Sequence, residues 1–409
     1  MSKQLYRLAD GGRIDRTRPI SFSFDGKPYD GYVGDTLASA LLANGVHLVG
    51  RSFKYHRPRG VLSAGSEEPN ALVQLGTEGA TDPNLRATQI ELYDELVAAS
   101  QNCWPSVSFD LGAINGLFSR VLPAGFYYKT FMWPKGFWKY YEHFIRKAAG
   151  LGRAPNAPDP THYDNMHAHC DVLVVGGGMT GLAAALAAAR ADARVILADE
   201  QCEFGGGLLG AHEQIDGMSA DEWVAQAVAE LESMKEVTLL PRSTVTGYFD
   251  HNFLTIAERV QDHLGAMGAA NRARQRLWKV RAKQVVLATG AHERPMVFKN
   301  NDRPGIMLAS ATQAYVNRFA VRCGNNAVLF TNNDSAYGAA LTLAEAGVNV
   351  AAVIDVRTQP TGVFPTKVRD CGIEILSRHA IVAAVGKKRV NAVEVMMLNE
   401  SADRLIGTA

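Results

Sequence analysis

Gly176, Gly178 and Gly181 stand in the spacing G-x-G-x-x-G, directly after the apolar run 172–175 and before the alanine-rich stretch 181–189. That pattern handles phosphates. The first glycine permits a tight turn, the second lets backbone approach a pyrophosphate, and the third lets a helix pack closely on a strand. The N–H groups at the start of that helix have no partner within it and favour an anion. A second apolar run, 194–198, ends at Asp199, where the fold places an acid roughly 20 residues past the first glycine. Asp199 can accept hydrogen bonds from an adenosine ribose and repels a 2′-phosphate, so NAD or FAD is favoured over NADP. The ADP moiety shared by NAD and FAD satisfies the pattern equally. Met179, Thr180, Glu200 and Gly206 are counted as contacts beside these residues.

The pattern needs a strand–helix–strand crossover to hold it, and the chain carries two. The second, 326–356, repeats strand, turn, helix and strand and ends at Asp355, with Thr331, Asn333 and Ala336 at the three glycine places. Side chains at 331 and 333 would crowd a pyrophosphate, so the architecture is duplicated while its phosphate-binding chemistry is eroded. Between the crossovers, 285–287 reads as a strand entering Ala288-Thr289-Gly290. Two crossovers separated by such a segment resemble the two-dinucleotide-domain flavoproteins, whose Ala-Thr-Gly turn lies near the first nucleotide. Disulfide reductases of that group carry a C-x2-C or C-x4-C pair. Cys103, Cys170, Cys202, Cys323 and Cys371 form neither.

Upstream, residues 20–32 alternate apolar and polar around Asp25-Gly26, the signature of a β-hairpin. Residues 34–46 follow as a helix capped by Asp35 or Thr36, with Leu37, Leu41 and Leu42 as its apolar face. The stretch RGVLSAGSEEPNALVQLG, 59–76, has the rhythm of a two-iron ferredoxin loop, in which thiolates at C-x4-C-x2-C hold the metal. Ser63, Glu68 and Ala71 occupy that spacing and Thr88 a plausible fourth place. Hairpin, helix, loop and strand suggest a small β-grasp domain, and these residues alone fit either a ferredoxin domain that lost its iron or an ordinary loop of the same rhythm.

Residues 126–144 crowd aromatics between prolines with no clear period, which suits irregular packing or a subunit interface equally; 154–165 reads as a linker. His162, His167, His169 and Cys170 match no common zinc spacing, so no metal site is expected. Across 409 residues the composition is 47% hydrophobic and 20% charged with a formal net charge of +1, which favours neither nucleic acid nor an anionic membrane. The dispersed cysteines and the absence of an apolar leader in 1–16 lead to a cytoplasmic expectation.

Several stretches carry a more specific resemblance: 123–134, the first fingerprint, 239–265 and 277–308. Together they closely resemble the N-terminal half of the α subunit of heterotetrameric sarcosine oxidase, over almost the whole chain. The resemblance implies oxidative demethylation of sarcosine to glycine, with peroxide formed and a one-carbon unit passed to tetrahydrofolate. It implies β, γ and δ partner subunits, with FAD and FMN on or near the β subunit. This chain would contribute NAD on its dinucleotide fold and no catalytic residue of its own. Carried over by motif, Gly176, Gly178, Gly181 and Asp199 are nucleotide contacts, with Thr289 and Gly290 nearby.

In that family the N-terminal domain relates to ferredoxins yet binds no cluster, so no iron–sulfur cluster is expected here. The family's α subunit is much longer and ends in a folate-binding part. This chain therefore reads first as a fragment, incomplete at its C-terminus, and second as a naturally short subunit of opine-oxidase type or a stand-alone nucleotide-binding scaffold. The expected α/β organisation is a ferredoxin-like domain over 1–100 and an aromatic connecting segment over 101–168. A first dinucleotide-binding (Rossmann-like) domain follows over 169–302 and a second, degenerate one over 303–409.

Overall fold

The structure, a computed structural model, describes residues 4–120, 125, 133–134, 136–149, 152–210, 214–269, 271–401 and 404–406. The chain divides into two units, one of Met1–Asp159 with Glu293–Ala409 and one of Pro160–His292.

The first unit opens on β1 (Asp15–Phe24) and β2 (Lys27–Val33), an antiparallel hairpin turned at Asp25 and Gly26. Both turn residues have positive φ, 50° and 72°, as a two-residue hairpin demands. Ile20, Phe22 and Phe24 point into the core while Ser21 and Ser23 alternate outward. Helix α1 (Leu37–Ala43) is buried throughout its length. Thr36 is its N-cap: its hydroxyl accepts from the Ser39 N–H, and the Ser39 hydroxyl accepts in return from the Thr36 N–H. Neighbouring Asp35 has a different task, accepting from both Nη atoms of Arg7, the Tyr32 N–H and the Ser39 hydroxyl. Short strands β3 (Gly50–Arg51) and β4 (Pro58–Arg59) pair with each other. Then β5 (Leu72–Leu75), β6 (Asp82–Arg86) and β7 (Leu96–Ser100) complete a five-stranded sheet in the order β2-β1-β7-β5-β6.

Within the connecting segment, Trp138–Ala149 form helix α2, and these residues are amphipathic at helical spacing, a period hidden when 126–144 is taken as one stretch. Trp138, Tyr140 and Phe144 on it are exposed. Residues 126–132 of the aromatic run lie outside the described residues.

The second unit is built on β8 (Tyr163–Val175), which leads through the glycine turn into α3 (Met179–Ala189) and β9 (Val195–Ala198). A small ribbon, β10 (Gln214–Ile215) with β11 (Met218–Ser219), precedes α4 (Ala220–Ser233). The remaining strands are β12 (Val237–Leu240), β13 (Ser243–Phe249), β14 (Phe253–Arg259) and β15 (Gln275–Leu287). The sheet order is β12-β9-β8-β15-β14-β13, with the first four parallel. Both faces are covered. Val174 and Leu197 pack with Leu182 and Leu186 of α3 and Leu231 of α4, while Leu173 and Ile196 pack with Leu254, Ile256 and Val280. That two-sided burial is why the strands read as continuous apolar runs.

The chain then returns to the first unit with α5 (Ala309–Phe319), capped by the Glu293 carboxylate, which accepts from the N–H groups of Ala309 and Ser310. Tyr315 and Phe319 join the same core as Leu37, Leu41 and Phe22, and the Tyr315 hydroxyl donates to the Ser63 carbonyl at 2.9 Å. The second crossover follows as β16 (Asn326–Thr331), α6 (Ser335–Glu345) and β17 (Asn349–Asp355), extended by α7 (Val363–Asp370) and β18 (Glu374–Ser377) into a three-stranded parallel sheet. An antiparallel group closes the described chain: β19 (His379–Gly386), β20 (Val390–Leu398) and β21 (Leu405–Ile406). Among the described residues no helix is long and apolar enough to cross a membrane.

Candidate nucleotide-binding site

Gly176 ends β8 with φ +98°, a conformation that L side chains rarely adopt. Its N–H donates to the Ala198 carbonyl, and a Cβ there would stand 2.4 Å from the Ala288 carbonyl oxygen. The Ala288 N–H in turn bonds the Val175 carbonyl at 2.8 Å. The Ala-Thr-Gly turn is thereby held against the glycine turn, with Thr289 and Gly290 exposed beside it.

Gly181, on the first turn of α3, is the packing glycine: a Cβ would lie 1.8 Å from the Gly176 carbonyl oxygen. Gly178 is the opposite case. It is the N-cap of α3, and the nearest atom a Cβ would meet is Gly206 Cα at 4.0 Å. Open space thus faces the start of α3, where Met179 and Thr180 are exposed and the first helical N–H groups point outward. A second loop forms the far wall. Gly205 donates to the Gly177 carbonyl and pairs with Gly178, which sets Gly206 against the turn.

Asp199, 8% exposed, closes the arrangement. Its Oδ2 accepts from the Gly177 N–H at 2.6 Å and its Oδ1 from the Gln201 N–H at 2.8 Å. Glu200 beside it is half-buried, with its carbonyl accepting from Arg259. The structure therefore gathers Gly176, Gly178, Met179, Thr180, Gly181, Asp199 and Gly206 at one end of the parallel strands, with Thr289 and Gly290 following Ala288. Gly177, Gly205 and the Ala288 carbonyl belong to the same cradle and escaped the sequence reading. The run Gly205-Gly206-Gly207 was the available signal.

In the second crossover side chains take these places. The Asn333 Oδ1 accepts from the Ser335 N–H and hydroxyl at the start of α6. Fully buried Asp355 accepts from the Tyr337 hydroxyl and from Arg357, which also pairs with Asp334. Burial and the Asp355 carboxylate push the Tyr337 hydroxyl well above the ordinary tyrosine range.

His162 bonds Asp164, His167 and His169 are exposed on β8, and Cys170 is buried, its thiol pushed up to about 11 by burial. Among the described residues no group of three or more His, Cys, Asp or Glu stands together to hold a metal ion.

Residues 170–400 match the family model described as pyridine nucleotide-disulphide oxidoreductase, more than half of the chain, and the chain belongs to that family of oxidoreductases. Within it, the chain is 52% identical over 392 residues to Sarcosine oxidase subunit alpha of Rhizobium meliloti (strain 1021), covering 95% of this chain and 39% of that protein. It is 40% identical to Sarcosine oxidase subunit alpha of Corynebacterium sp. (strain P-1), covering 98% of this chain and 37% of the other. The chain thus spans less than half the length of these relatives, and both are named as one subunit of an assembly. The crystal structure of L-proline dehydrogenase from P. horikoshii shares the fold, with a TM-score of 0.57 at 18% identity over 99% of this chain and 60% of that one.

One expectation is corrected. Residues 17–103 match the family model described as a 2Fe-2S iron-sulfur cluster binding domain, so the reading of this domain as one without a cluster does not stand. The expected ligand positions nevertheless hold no thiolate. Buried Glu68 fills the loop instead: Oε2 accepts from the N–H groups of Leu62 and Ser63, and Oε1 from those of Asn70 and Ala71. Thr88 donates to the Gly65 carbonyl. Ser63, Glu68, Ala71 and Thr88 do not form the thiolate set that such clusters use.

Proposed function

We propose that this chain is the nucleotide-holding part of a sarcosine oxidase α subunit, with NAD in the cradle of the first crossover. The observation that carries the reading is the open space at Gly178 facing the start of α3, with the Asp199 carboxylate pinned to the same turn. The N–H groups of Met179, Thr180 and Gly181 would hold the pyrophosphate. Asp199 and Glu200 would receive the adenosine ribose and exclude a 2′-phosphate by charge. Gly206, Thr289 and Gly290 would border the dinucleotide where backbone rather than side chain is needed. When bound, the nicotinamide supplies a hydride acceptor or donor. The chain's own residues bind and orient it, and none of them is proposed to act on the substrate.

The wider reaction is the oxidative demethylation of sarcosine to glycine, with peroxide formed and the one-carbon unit passed to tetrahydrofolate. It is proposed for an assembly with β, γ and δ subunits, as the family resemblance implies; the relatives' name, subunit alpha, supports the presence of other subunits. A positioned cofactor accelerates nothing until a substrate is set against its reactive atom, so the isolated chain is expected to bind without turning over. Two measurements test this. Nucleotide released by denaturation and identified chromatographically should be NAD, about one per chain; FAD would change the assignment. Peroxide release from sarcosine should require the added subunits, and robust release by the chain alone would refute the subunit reading.

A further inference from the structure

A cavity of about 660 Å³ opens on the first unit, between the strand pair at 50–59, the 3₁₀ segment Leu111–Phe118 and the tip after β19. We infer that it binds a small organic anion, a phosphate or carboxylate carried on an apolar body. Its walls include Arg57, Arg303 and Lys387, with Asp302 as the acid among them. That acid is already consumed. Both Asp302 oxygens accept from Arg57, one of them also from Arg59, and the Asp302 carbonyl takes a further bond from Arg59. Burial pushes the Asp302 carboxyl up, but its bonds to Arg57 and Arg59 overcome this and hold it at about 2. Arg57 and Arg59 share that one carboxylate, and Arg303 and Lys387 line the same cavity without touching it, so positive charge is left over.

The excess charge is set in place rather than free to swing. Arg57 is tied to Asp302 and to the Asn300 side chain. Arg303 donates through Nη1 to the carbonyls of Gly386 and Lys387, which are neutral, and its buried Nε has no hydrogen-bond partner. A guanidinium whose partners are carbonyls keeps its whole charge available, and fixing it beforehand removes the ordering cost that a mobile side chain imposes on binding. Lys387 is exposed at the rim and free to follow a ligand. The volume lies within the range of small-molecule sites and is far larger than a bare ion requires. Pro58 and Leu117, the latter 81% exposed, add an apolar wall for the body of the ligand. Nothing in the dinucleotide cradle uses these residues, so this site stands or falls apart from the nucleotide reading.

The test is calorimetric titration of the full chain, saturated with NAD to fill the glycine loop, with inorganic phosphate and separately with acetate. Saturable binding of either is expected, weakening as salt rises, and weaker by about tenfold in Lys387→Gln. Phosphate alone binding would identify a phosphate ester as the ligand class; acetate binding as well would identify a carboxylate. Arg303→Gln should weaken binding further, and if that variant fails to fold, Lys387→Gln decides by itself. Absence of saturable binding by both probes, or binding unchanged in Lys387→Gln, overturns the inference.

Discussion

The two crossovers share strand, turn, helix, strand and terminal acid, yet they use the acid in opposite ways. In the first, Asp199 accepts the Gly177 N–H and draws the glycine turn shut, leaving the start of α3 uncovered. In the second, Asp355 is enclosed by Tyr337 and Arg357, and Asn333 supplies to α6 the oxygen that a phosphate would bring. One turn is kept open by the absence of side chains; the other is completed by them. A duplicated backbone thus says where a nucleotide would sit, and the side chains at three turn positions say whether room was left.

Four experiments test that contrast. The largest effect is expected from Gly181→Ala, which drives a methyl group into the Gly176 carbonyl. It should cost on the order of 3 kcal/mol and empty the first site, read as a lower thermal midpoint with loss of bound nucleotide. Parent-like values for both would show that the helix does not pack this closely. Gly178→Val should separate binding from folding. Its Cβ has space, so stability should change by no more than about 1 kcal/mol, while nucleotide occupancy falls to trace. Occupancy equal to the parent's would place the ligand elsewhere.

On the other side of the comparison, Tyr337→Phe removes one donor from buried Asp355 and should cost about 1 kcal/mol by urea midpoint, with nucleotide content unchanged. A drop in nucleotide content would mean that the second crossover also holds a ligand. The smallest effect concerns acid. Hydrogen bonds from Arg194 and Lys283 hold the Asp171 carboxyl below the usual carboxylate range. A carboxyl lowered on folding contributes stability above its unfolded value of about 3.9, and that contribution fades as pH falls below it. Asp171→Asn should therefore flatten the loss of stability below about pH 4. An unchanged acid profile would show that Asp171 and its two cations contribute nothing.

What was legible from sequence was whatever local geometry dictates. Asp25-Gly26 could only be a tight turn between alternating strands, Leu37, Leu41 and Leu42 only the buried side of a helix, and Gly176, Gly178 and Gly181 only a turn needing no side chains. What stayed hidden depends on residues distant in the chain. That Asp199 staples Gly177 rests on a side-chain orientation set by the neighbouring strand. The same holds for Glu68, which reads as a missing ligand in sequence and emerges as the anchor of four backbone N–H groups. The period of α2 was hidden because the helix begins only at Trp138, late in the aromatic stretch 126–144.

The bond from Tyr315 to the Ser63 carbonyl spans 252 positions, and the whole of Pro160–His292 lies between its two ends. A ribosome adds about 5–20 residues per second, so the N-terminal sheet waits roughly 10–50 s for the helix that finishes its core. Pro160–His292 is contiguous and can close during that interval. Phe22, Leu37 and Leu41 meanwhile lack Tyr315 and Phe319, their partners from α5. Synthesis therefore leaves a stage in which the middle third of the chain can be complete while the N-terminal sheet still waits for its last helix, and that stage is the one most exposed to chaperones and to aggregation.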